Sequence, residues 1–184
     1  MAQTIGELGF TIGAEVGVAA GDHSELLLQS IPDLTLYCID PWERRDDFRS
    51  YDNQKLQTWY DAAEQKLSKY EKCKMIRDTS MEAVKGFKDG SLDFCYIDGA
   101  HDFKNIAMDI CEWIRKVRSG GILFGHDYER ISGGKYPCHV KDVVDAYALS
   151  HHIDTWFVLG MELDLHGKPD GIYREDVRSW MYIL

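Results

Sequence analysis

A glycine turn between a predicted strand and a predicted helix constrains this chain more than any other stretch. Residues 11–28 read TIGAEVGVAAGDHSELLL, an apolar strand ending at Val16, a turn from Gly17 to Gly21 and an amphipathic helix opening at Asp22. Glycine enters backbone regions that other residues avoid, so these two glycines permit the tight reversal. Free N–H groups at the start of a helix bind anionic groups. The stretch predicts the first strand–turn–helix unit of an α/β sheet, with a ligand site at the turn.

The spacing of the turn residues narrows the choice of ligand. The pattern from Glu15 to Gly21 is E-x-G-x-x-x-G, which differs from the G-x-G-x-x-G of dinucleotide-binding folds. No Gly-Lys-Ser/Thr follows, which excludes a phosphate-binding P-loop. Glu25 lies three residues after Asp22, a spacing that predicts a capped helix start. From the turn alone, a strand–turn–helix with a purely structural role stays open.

Strand-like and helix-like segments alternate along the rest of the chain. Five strands are each followed by a helical pattern, and Ser119–Gly121 is predicted to close the helix before the fifth strand. The last two strands have no helical pattern between them, which indicates an antiparallel hairpin. This order predicts one α/β domain over residues 1–184, with a mostly parallel sheet. The predicted strands are 11–16, 34–40, 73–77, 92–98, 122–127, 155–161 and 177–183.

Composition excludes several classes of partner. The chain has 184 residues and a net charge of −10, which argues against a nucleic-acid backbone because neutralising phosphates takes clustered Lys and Arg. No apolar run reaches the roughly 18–20 residues of a membrane span, and no signal peptide precedes Thr11. The five cysteines are scattered and contain no C-x-x-C, which predicts buried free thiols, no structural zinc and a cytoplasmic location.

Polar residues recur where the predicted strands end. In a doubly wound sheet, ligands bind beyond the carboxyl ends of the strands. A carboxylate near a buried edge costs free energy unless something pairs with it, so folding alone does not explain the repetition. The residues at these ends are Glu15, Asp40, Asp78 and Asp98 on the first four strands, and His126 with Asp127 on the fifth.

Two of these ends suggest contacts with a nucleoside. Asp40 lies 23 residues after Gly17, near the spacing of about 20 at which an acid binds ribose hydroxyls, although it could simply end a strand before a proline. Trp42 could stack on a purine or pack in the core. Asp78, or Ser80 just after it, could meet the adenine amino group or cap the next helix.

Three motifs together resemble a known enzyme family. They are IDPW at 39–42, YIDGAHDF at 96–103 and GGILFGHDY at 120–128, in addition to the glycine turn. The chain resembles class I S-adenosylmethionine-dependent methyltransferases, and among them the small-molecule and sugar O-methyltransferases of the macrocin type (methyltransferase domain family 24). The resemblance extends from Glu15 through the helix at 139–150. It implies a Rossmann-like sheet of seven strands in the order 3-2-1-4-5-7-6, with strand 7 antiparallel.

The resemblance also implies a cofactor, S-adenosylmethionine, and a small-molecule acceptor that is methylated on a hydroxyl. His101 matches the catalytic base of catechol-type relatives, with Asp98 beside it, although His101 could instead cap the following helix. A divalent cation such as Mg²⁺ would lie at Asp98, Asp127 and His126, where many relatives carry a second acid in place of this histidine. The implied cofactor-binding residues are Glu15, Gly17, Gly21, Ser24, Asp40, Trp42, Asp78, Ser80 and Asp98.

Two other functions remain open at the level of the sequence. A nicotinamide-dependent dehydrogenase would carry G-x-x-x-G-x-G in the first turn and Tyr-x-x-x-Lys after the fifth strand, and neither is present there. A non-catalytic nucleotide-binding module on the same fold is the second alternative. Titration with S-adenosylmethionine and with a nicotinamide cofactor separates the three.

Little chain precedes the first strand, where many relatives carry a helix that covers the substrate. The site is therefore expected to be open, or to be roofed by residues 41–54, by residues 128–138 or by a second subunit. A homodimer is accordingly among the expected partners, together with the small-molecule acceptor. Nucleic acid and membrane are not.

Overall fold

Seven strands join in one sheet. The computed structural model describes residues 2–44, 51–131, 137–160 and 178–184. In chain order the strands are β1 (Ile12–Val16), β2 (Thr35–Ile39), β3 (Cys73–Ile76), β4 (Leu92–Ile97), β5 (Val117–Gly125), β6 (Trp156–Leu159) and β7 (Ser179–Ile183). The order across the sheet is β3-β2-β1-β4-β5-β7-β6. β1 to β5 pair in parallel, and β7 runs antiparallel to β5 and β6. The predicted topology is confirmed.

Helices cover both faces of this sheet. They are α1 (Ala2–Glu7), α2 (Asp22–Ser30), α3 (Asn53–Leu67), α4 (Ser80–Ala83), α5 (Phe103–Trp113) and α6 (Val140–Ser150). Successive residues of a strand point to opposite faces, so β4 supplies Phe94 and Tyr96 to the core under α1–α3. Its Cys95 and Ile97 belong to the core under α4–α6. The near-continuous apolar strands are thus explained by burial on both sides.

The start of α2 differs from the prediction. Its N-cap is Gly21, at φ 80°, and no side chain caps the helix. Asp22 pairs instead with Lys66 on α3, and Glu25 with Lys69 in the turn just after α3, each at 2.5 Å between nitrogen and oxygen. The predicted capping arrangement is wrong because both carboxylates have cationic partners on or just after the neighbouring helix.

The start of β5 also differs. The strand begins at Val117, after α5 and a 3-10 turn at Ile114–Lys116, so the glycines predicted to close a helix lie inside the strand. A Cβ at Gly121 would come within 2.4 Å of the carbonyl oxygen of Asp93 on β4. Glycine is therefore required here because the two backbones approach closely. In the sequence, a glycine with this role looks the same as one that ends a helix.

Other expectations concern the surface and the thiols. All five cysteines are free, as predicted, but three of them are buried, whereas Cys73 is half-buried and Cys111 is exposed on the surface of α5. No helix among the described ranges is both long and apolar enough to span a membrane. The two segments expected to roof the site, 41–54 and 128–138, include residues 45–50 and 132–136, which lie outside the described residues.

Candidate active site

The glycine turn presses against the loop that follows β4. Gly17 has φ 93°, and its N–H donates to the carbonyl oxygen of Ile39 at 2.9 Å. A Cβ at this position would lie 2.1 Å from the carbonyl oxygen of Asp98. Glycine is thus required here by the neighbouring backbone itself, and this contact brings the turn after β1 directly beside Asp98.

Glu15 and Ser24 fasten the end of β1 to α2. Both are buried, and the Ser24 hydroxyl donates to Oε2 of Glu15 at 2.6 Å. Nδ1 of His23 lies 3.5 Å from the other carboxylate oxygen of Glu15. Glu15 and Ser24, both predicted to bind the cofactor, therefore stabilise the conformation of the turn from its buried side. Gly21 adds to this shape, because a Cβ there would lie 3.2 Å from the Cα of Ala63 on α3.

Asp40 binds the same turn from the end of β2. Its Oδ2 accepts from the N–H groups of Val18 and Ala19, both at 3.0 Å. Its Oδ1 accepts from the N–H of Trp42 at 2.8 Å. Burial raises the pKa of Asp40, and the three backbone N–H groups oppose that shift. A carboxylate offers about four acceptor positions, so the carboxylate keeps acceptor capacity for one further donor such as a ribose hydroxyl.

Trp42 belongs to the core. Its side chain is 1% exposed, its indole N–H donates to the carbonyl oxygen of Ala19 at 2.8 Å, and its ring meets Tyr60 edge-on at 5.2 Å. These contacts correspond to the packing interpretation that the sequence left open. The ring faces protein on all the sides that a stacked purine would need, and we leave Trp42 out of the proposed cofactor site.

The loop after β3 is organised by hydrogen bonds within the protein. Oδ1 of Asp78 accepts from the N–H of Thr79 at 2.7 Å, and Thr79 is the N-cap of α4. The Ser80 hydroxyl donates to Oδ1 of Asp109 and accepts from the indole N–H of Trp113 at 2.8 Å. Asp109 is 4% exposed. This buried carboxylate is a residue that the sequence analysis missed.

Asp98, His101 and Asp127 converge beyond the ends of β4 and β5. Nε2 of His101 lies 3.1 Å from Oδ2 of Asp127 and 3.4 Å from Oδ1 of Asp98. One ligand atom from each of the three lies within 4.8 Å of the others. The alternative role for His101, capping α5, is wrong, because Asp102 is the N-cap of that helix.

Backbone contacts fix the two loops that carry this cluster. The N–H of Asp98 continues the sheet ladder to Val16, at 2.8 Å, and the N–H of His139 donates to the carbonyl oxygen of His101, also at 2.8 Å. Asp127 has φ 53°, a conformation in which aspartate is tolerated better than most residues. The chain therefore leaves β5 by a sharp bend that turns the Asp127 carboxylate toward His101.

His126 lies outside the cluster. Its Nδ1 is 3.6 Å from Oδ1 of Asp127, whereas His101 approaches Oδ2 of the same carboxylate. Adjacent residues at a strand end point in different directions, and the bend at Asp127 separates them further. We therefore replace His126 by His101 in the set of candidate metal ligands.

The donor set fits a divalent cation. The three ligand atoms lie within 4.8 Å of one another. Two atoms that bind the same ion from opposite sides are separated by twice a metal–oxygen bond of about 2.0–2.2 Å, so the three atoms are close enough to share one ion. Two carboxylates would suit Mg²⁺ or Mn²⁺, and the imidazole moves the preference toward transition metals. Asp98, Asp127 and His101 are thus able to hold a cation or, without one, to hold an acceptor hydroxyl.

Comparison with known proteins identifies the family. A family model described as a methyltransferase domain matches residues 14–128, more than half of the chain and the whole region from the glycine turn to Tyr128. The chain belongs to this methyltransferase family. The match includes Asp98, His101 and Asp127.

Solved methyltransferase structures share the fold at low sequence identity. An O-methyltransferase from Bacillus cereus in complex with SAH is 12% identical, with a TM-score of 0.68 over 100% of this chain and 79% of that one. The O-methyltransferase TomG from Streptomyces achromogenes, in complex with SAM, is 11% identical, with a TM-score of 0.67 over 99% and 77%. An rRNA methylase from Streptococcus thermophilus is 13% identical, with a TM-score of 0.64 over 98% and 91%. The fold alone therefore does not decide the acceptor.

A curated relative adds no activity. The uncharacterised protein y4gI of Sinorhizobium fredii is 25% identical over 93 residues, which make up 50% of this chain and 10% of that protein. The match with this chain thus spans a small part of the relative's length.

Proposed function

We propose that this chain binds S-adenosylmethionine over the glycine turn and transfers its methyl group to a hydroxyl of a small molecule held at Asp98, His101 and Asp127. The observation that carries the proposal is the contact of Gly17 with the backbone of Asp98. It places the turn and the acidic cluster side by side at the carboxyl edge of the sheet, where ligands of such sheets bind, and we take them as the two walls of the proposed site.

The cofactor half of the proposal rests on backbone groups. The turn from Gly17 to Gly21 and the start of α2 offer N–H donors to the methionine part of the cofactor. Asp40 would accept from the ribose with its remaining acceptor capacity. The adenine would lie between the loop at Asp78–Ser80 and the turn after Asp98.

The chemical step requires removal of one proton. The acceptor oxygen attacks the methyl carbon, the bond between that carbon and the sulfonium sulfur breaks, and S-adenosylhomocysteine leaves as a neutral thioether. The hydroxyl proton passes to His101 as the new C–O bond forms. Histidine is the side chain that most often serves as a general base in proton transfer of this kind. Asp127, 3.1 Å from the ring, would orient the imidazole.

A cation would be held by Asp98 and Asp127. Bound there, it would lower the pKa of the acceptor hydroxyl and so favour attack. The approach of Nε2 of His101 to both carboxylates also supports a second assignment, in which His101 is the third ligand. A nitrogen that ligates a cation cannot accept a proton, so the cation affinity of the His101→Ala variant separates the two roles.

A small-molecule acceptor is favoured by charge. The chain carries a net charge of −10, and the cluster itself contributes two carboxylates next to the reacting position. An RNA acceptor would bring a polyanion close to this acidic cluster, and the sequence contains no dense basic segment that would neutralise it.

The test is a screen of hydroxyl compounds for S-adenosylhomocysteine release, run with Mg²⁺, with Mn²⁺ and with chelator. We expect turnover with a subset of sugars or phenols and none with ribosomal RNA. His101→Ala should lower turnover on the order of 10²–10⁴-fold in every arm in which the parent is active. If chelator leaves the parent fully active, His101 acts as the base without a cation. If chelator abolishes activity and His101→Ala lowers cation affinity, His101 is a ligand. Failure of the parent to bind S-adenosylhomocysteine would contradict the proposal as a whole.

A further inference from the structure

Asp109 is an acid on a helix face that is otherwise apolar. It lies in the middle of α5, whose other buried residues are Ile106, Ile110 and Trp113. Among the residues that the structure describes, the buried carboxylates are those of Asp109 and Glu15. Burying a charge costs free energy unless hydrogen bonds compensate for it, and an apolar residue at 109 would complete the helix face at lower cost. The carboxylate therefore calls for a specific partner.

Its contacts join two loops of the proposed cofactor site. Oδ1 accepts from the hydroxyl of Ser80, the first residue of α4, which in turn accepts from Trp113 at 2.8 Å. Oδ2 faces the turn after β4, since a Cβ at Gly99 would lie 3.6 Å from it. One side chain thus spans the space between the loop that follows β3 and the turn that begins at Asp98.

A similar buried pair of a carboxylate and a serine lies on the opposite side of the sheet. Glu15 accepts from the hydroxyl of Ser24 at 2.6 Å and so fixes the glycine turn to the start of α2. In each case a buried carboxylate and a serine at the first turn of a helix secure one loop at the carboxyl edge. The first pair supports the loop under the methionine part of the cofactor, and the second lies where the adenine is proposed to bind.

We infer that Asp109 is a positioning residue, which holds Ser80 and the turn at Asp98–Gly99 at the separation that the adenine ring of the cofactor requires. This inference rests on the proposed function. Asp109 acts through these two loops and not by contact with the reacting atoms. Its removal should affect recognition of the adenosine half of the cofactor more than the chemical step.

The test measures affinity and stability separately. Asp109→Asn and Ser80→Ala are compared with the parent by calorimetric titration with S-adenosylhomocysteine and with adenosine, below the melting temperature of every variant. We expect each variant to bind both ligands on the order of ten- to a hundredfold more weakly, the range for hydrogen bonds to a charged group. Because the two changes act on one hydrogen bond, the first removing the charge of its acceptor and the second its donor, the double variant should lose less than the product of the single losses.

Asp93→Asn is the matched control. Asp93 accepts from the N–H groups of Thr11 and Ile12, at 2.7 and 2.9 Å, and from Arg118 at 2.7 Å, at the far end of the strands. Its replacement should lower the melting temperature and leave both affinities unchanged. The role of Asp109 is overturned if Asp109→Asn, or Ser80→Ala where the former does not fold, binds both ligands within twofold of the parent, or if Asp93→Asn loses affinity equally. Absence of binding by the parent would overturn the proposed function as well.

Discussion

The two walls of the proposed site, the glycine turn and the acidic cluster, are stabilised by different kinds of contact. The wall at β1 and β2 is a turn whose backbone groups are already hydrogen-bonded, with three N–H donors on Asp40 and a buried Glu15–Ser24 pair below. The wall at β4 and β5 consists of ionisable side chains facing one another, with Nε2 of His101 3.1 and 3.4 Å from two carboxylates. The first is shaped before a ligand arrives, and the second is an arrangement of reactive groups.

The difference indicates a division of labour. A site that binds one constant cofactor gains from a rigid backbone, since little entropy is lost on binding. A site that moves a proton needs groups whose charge can change, and those are side chains. Changes in the first wall should therefore reduce binding, and changes in the second should reduce turnover.

The largest expected effect is that of Gly17→Ala. The added Cβ would lie 2.1 Å from the carbonyl oxygen of Asp98, at a φ of 93°. Both walls would be displaced, so we expect loss of S-adenosylhomocysteine binding and destabilisation of more than about 4 kcal/mol, the range of severe backbone and packing defects. Calorimetry and thermal unfolding measure the two.

Gly86→Ala is the matched control for this change. No heavy atom lies within 4 Å of the Cβ position at Gly86, so stability should stay within about 0.5 kcal/mol of the parent. Equal behaviour of the two alanine variants would show that the contact between the walls does not constrain the turn.

Next in size is the effect of His101→Ala on turnover. Loss of a general base should lower the rate on the order of 10²–10⁴-fold, while S-adenosylhomocysteine affinity is retained. Steady-state release of S-adenosylhomocysteine gives the rate. His151→Ala, a change at the exposed C-cap of α6, serves as the control and should leave the rate unaltered. Near-parental turnover of His101→Ala would remove this residue from the mechanism.

Asp40→Ala should have a smaller effect, and on affinity. The carboxylate supports Val18, Ala19 and Trp42 through their N–H groups, and it is the proposed ribose acceptor. We expect binding to weaken by about 1.5–3 kcal/mol, the value of hydrogen bonds to a charged group. The control is Asp33→Ala, which removes an exposed partner of Lys72. Unchanged affinity in Asp40→Ala would contradict both of its roles.

The smallest effect is expected outside the two walls. Lys69→Ala breaks a surface pair between Glu25 on α2 and the turn that follows α3. Surface ion pairs contribute little, so the melting temperature should fall by no more than about 3 °C, with binding unaffected. A larger fall would mean that α2 is held in place by surface charge as much as by the buried Glu15–Ser24 pair.

The sequence predicts the parts of this fold that depend on local pattern. Strand order followed from the motif resemblance, and residues at strand ends such as Asp98 and Asp127 could be expected to meet because parallel strands end at one edge. Contacts between residues far apart in the chain could not be predicted from the sequence. The glycines at 120 and 121 suggested a helix end, whereas the close approach of Asp93 explains Gly121.

The two residues that we leave out of the proposed site show the same limit. Trp42 and His126 stand beside proposed site residues in the sequence, but the backbone bends at Trp42, with φ 42°, and at Asp127 directly after His126, with φ 53°. Asp109 carried a usable signal, since it falls three residues after Ile106 and four before Trp113 on the buried face of α5. An acid on an apolar helical face is a sign of a buried polar contact.

The most direct test of the account is calorimetric titration of S-adenosylhomocysteine into the parent and into His101→Ala. Binding by the glycine-turn wall does not need His101, so the two proteins should give the same affinity within about twofold, and neither should bind a nicotinamide cofactor. No binding by the folded parent, or loss of binding in the His101→Ala variant alone, would contradict the separation of cofactor binding from proton transfer.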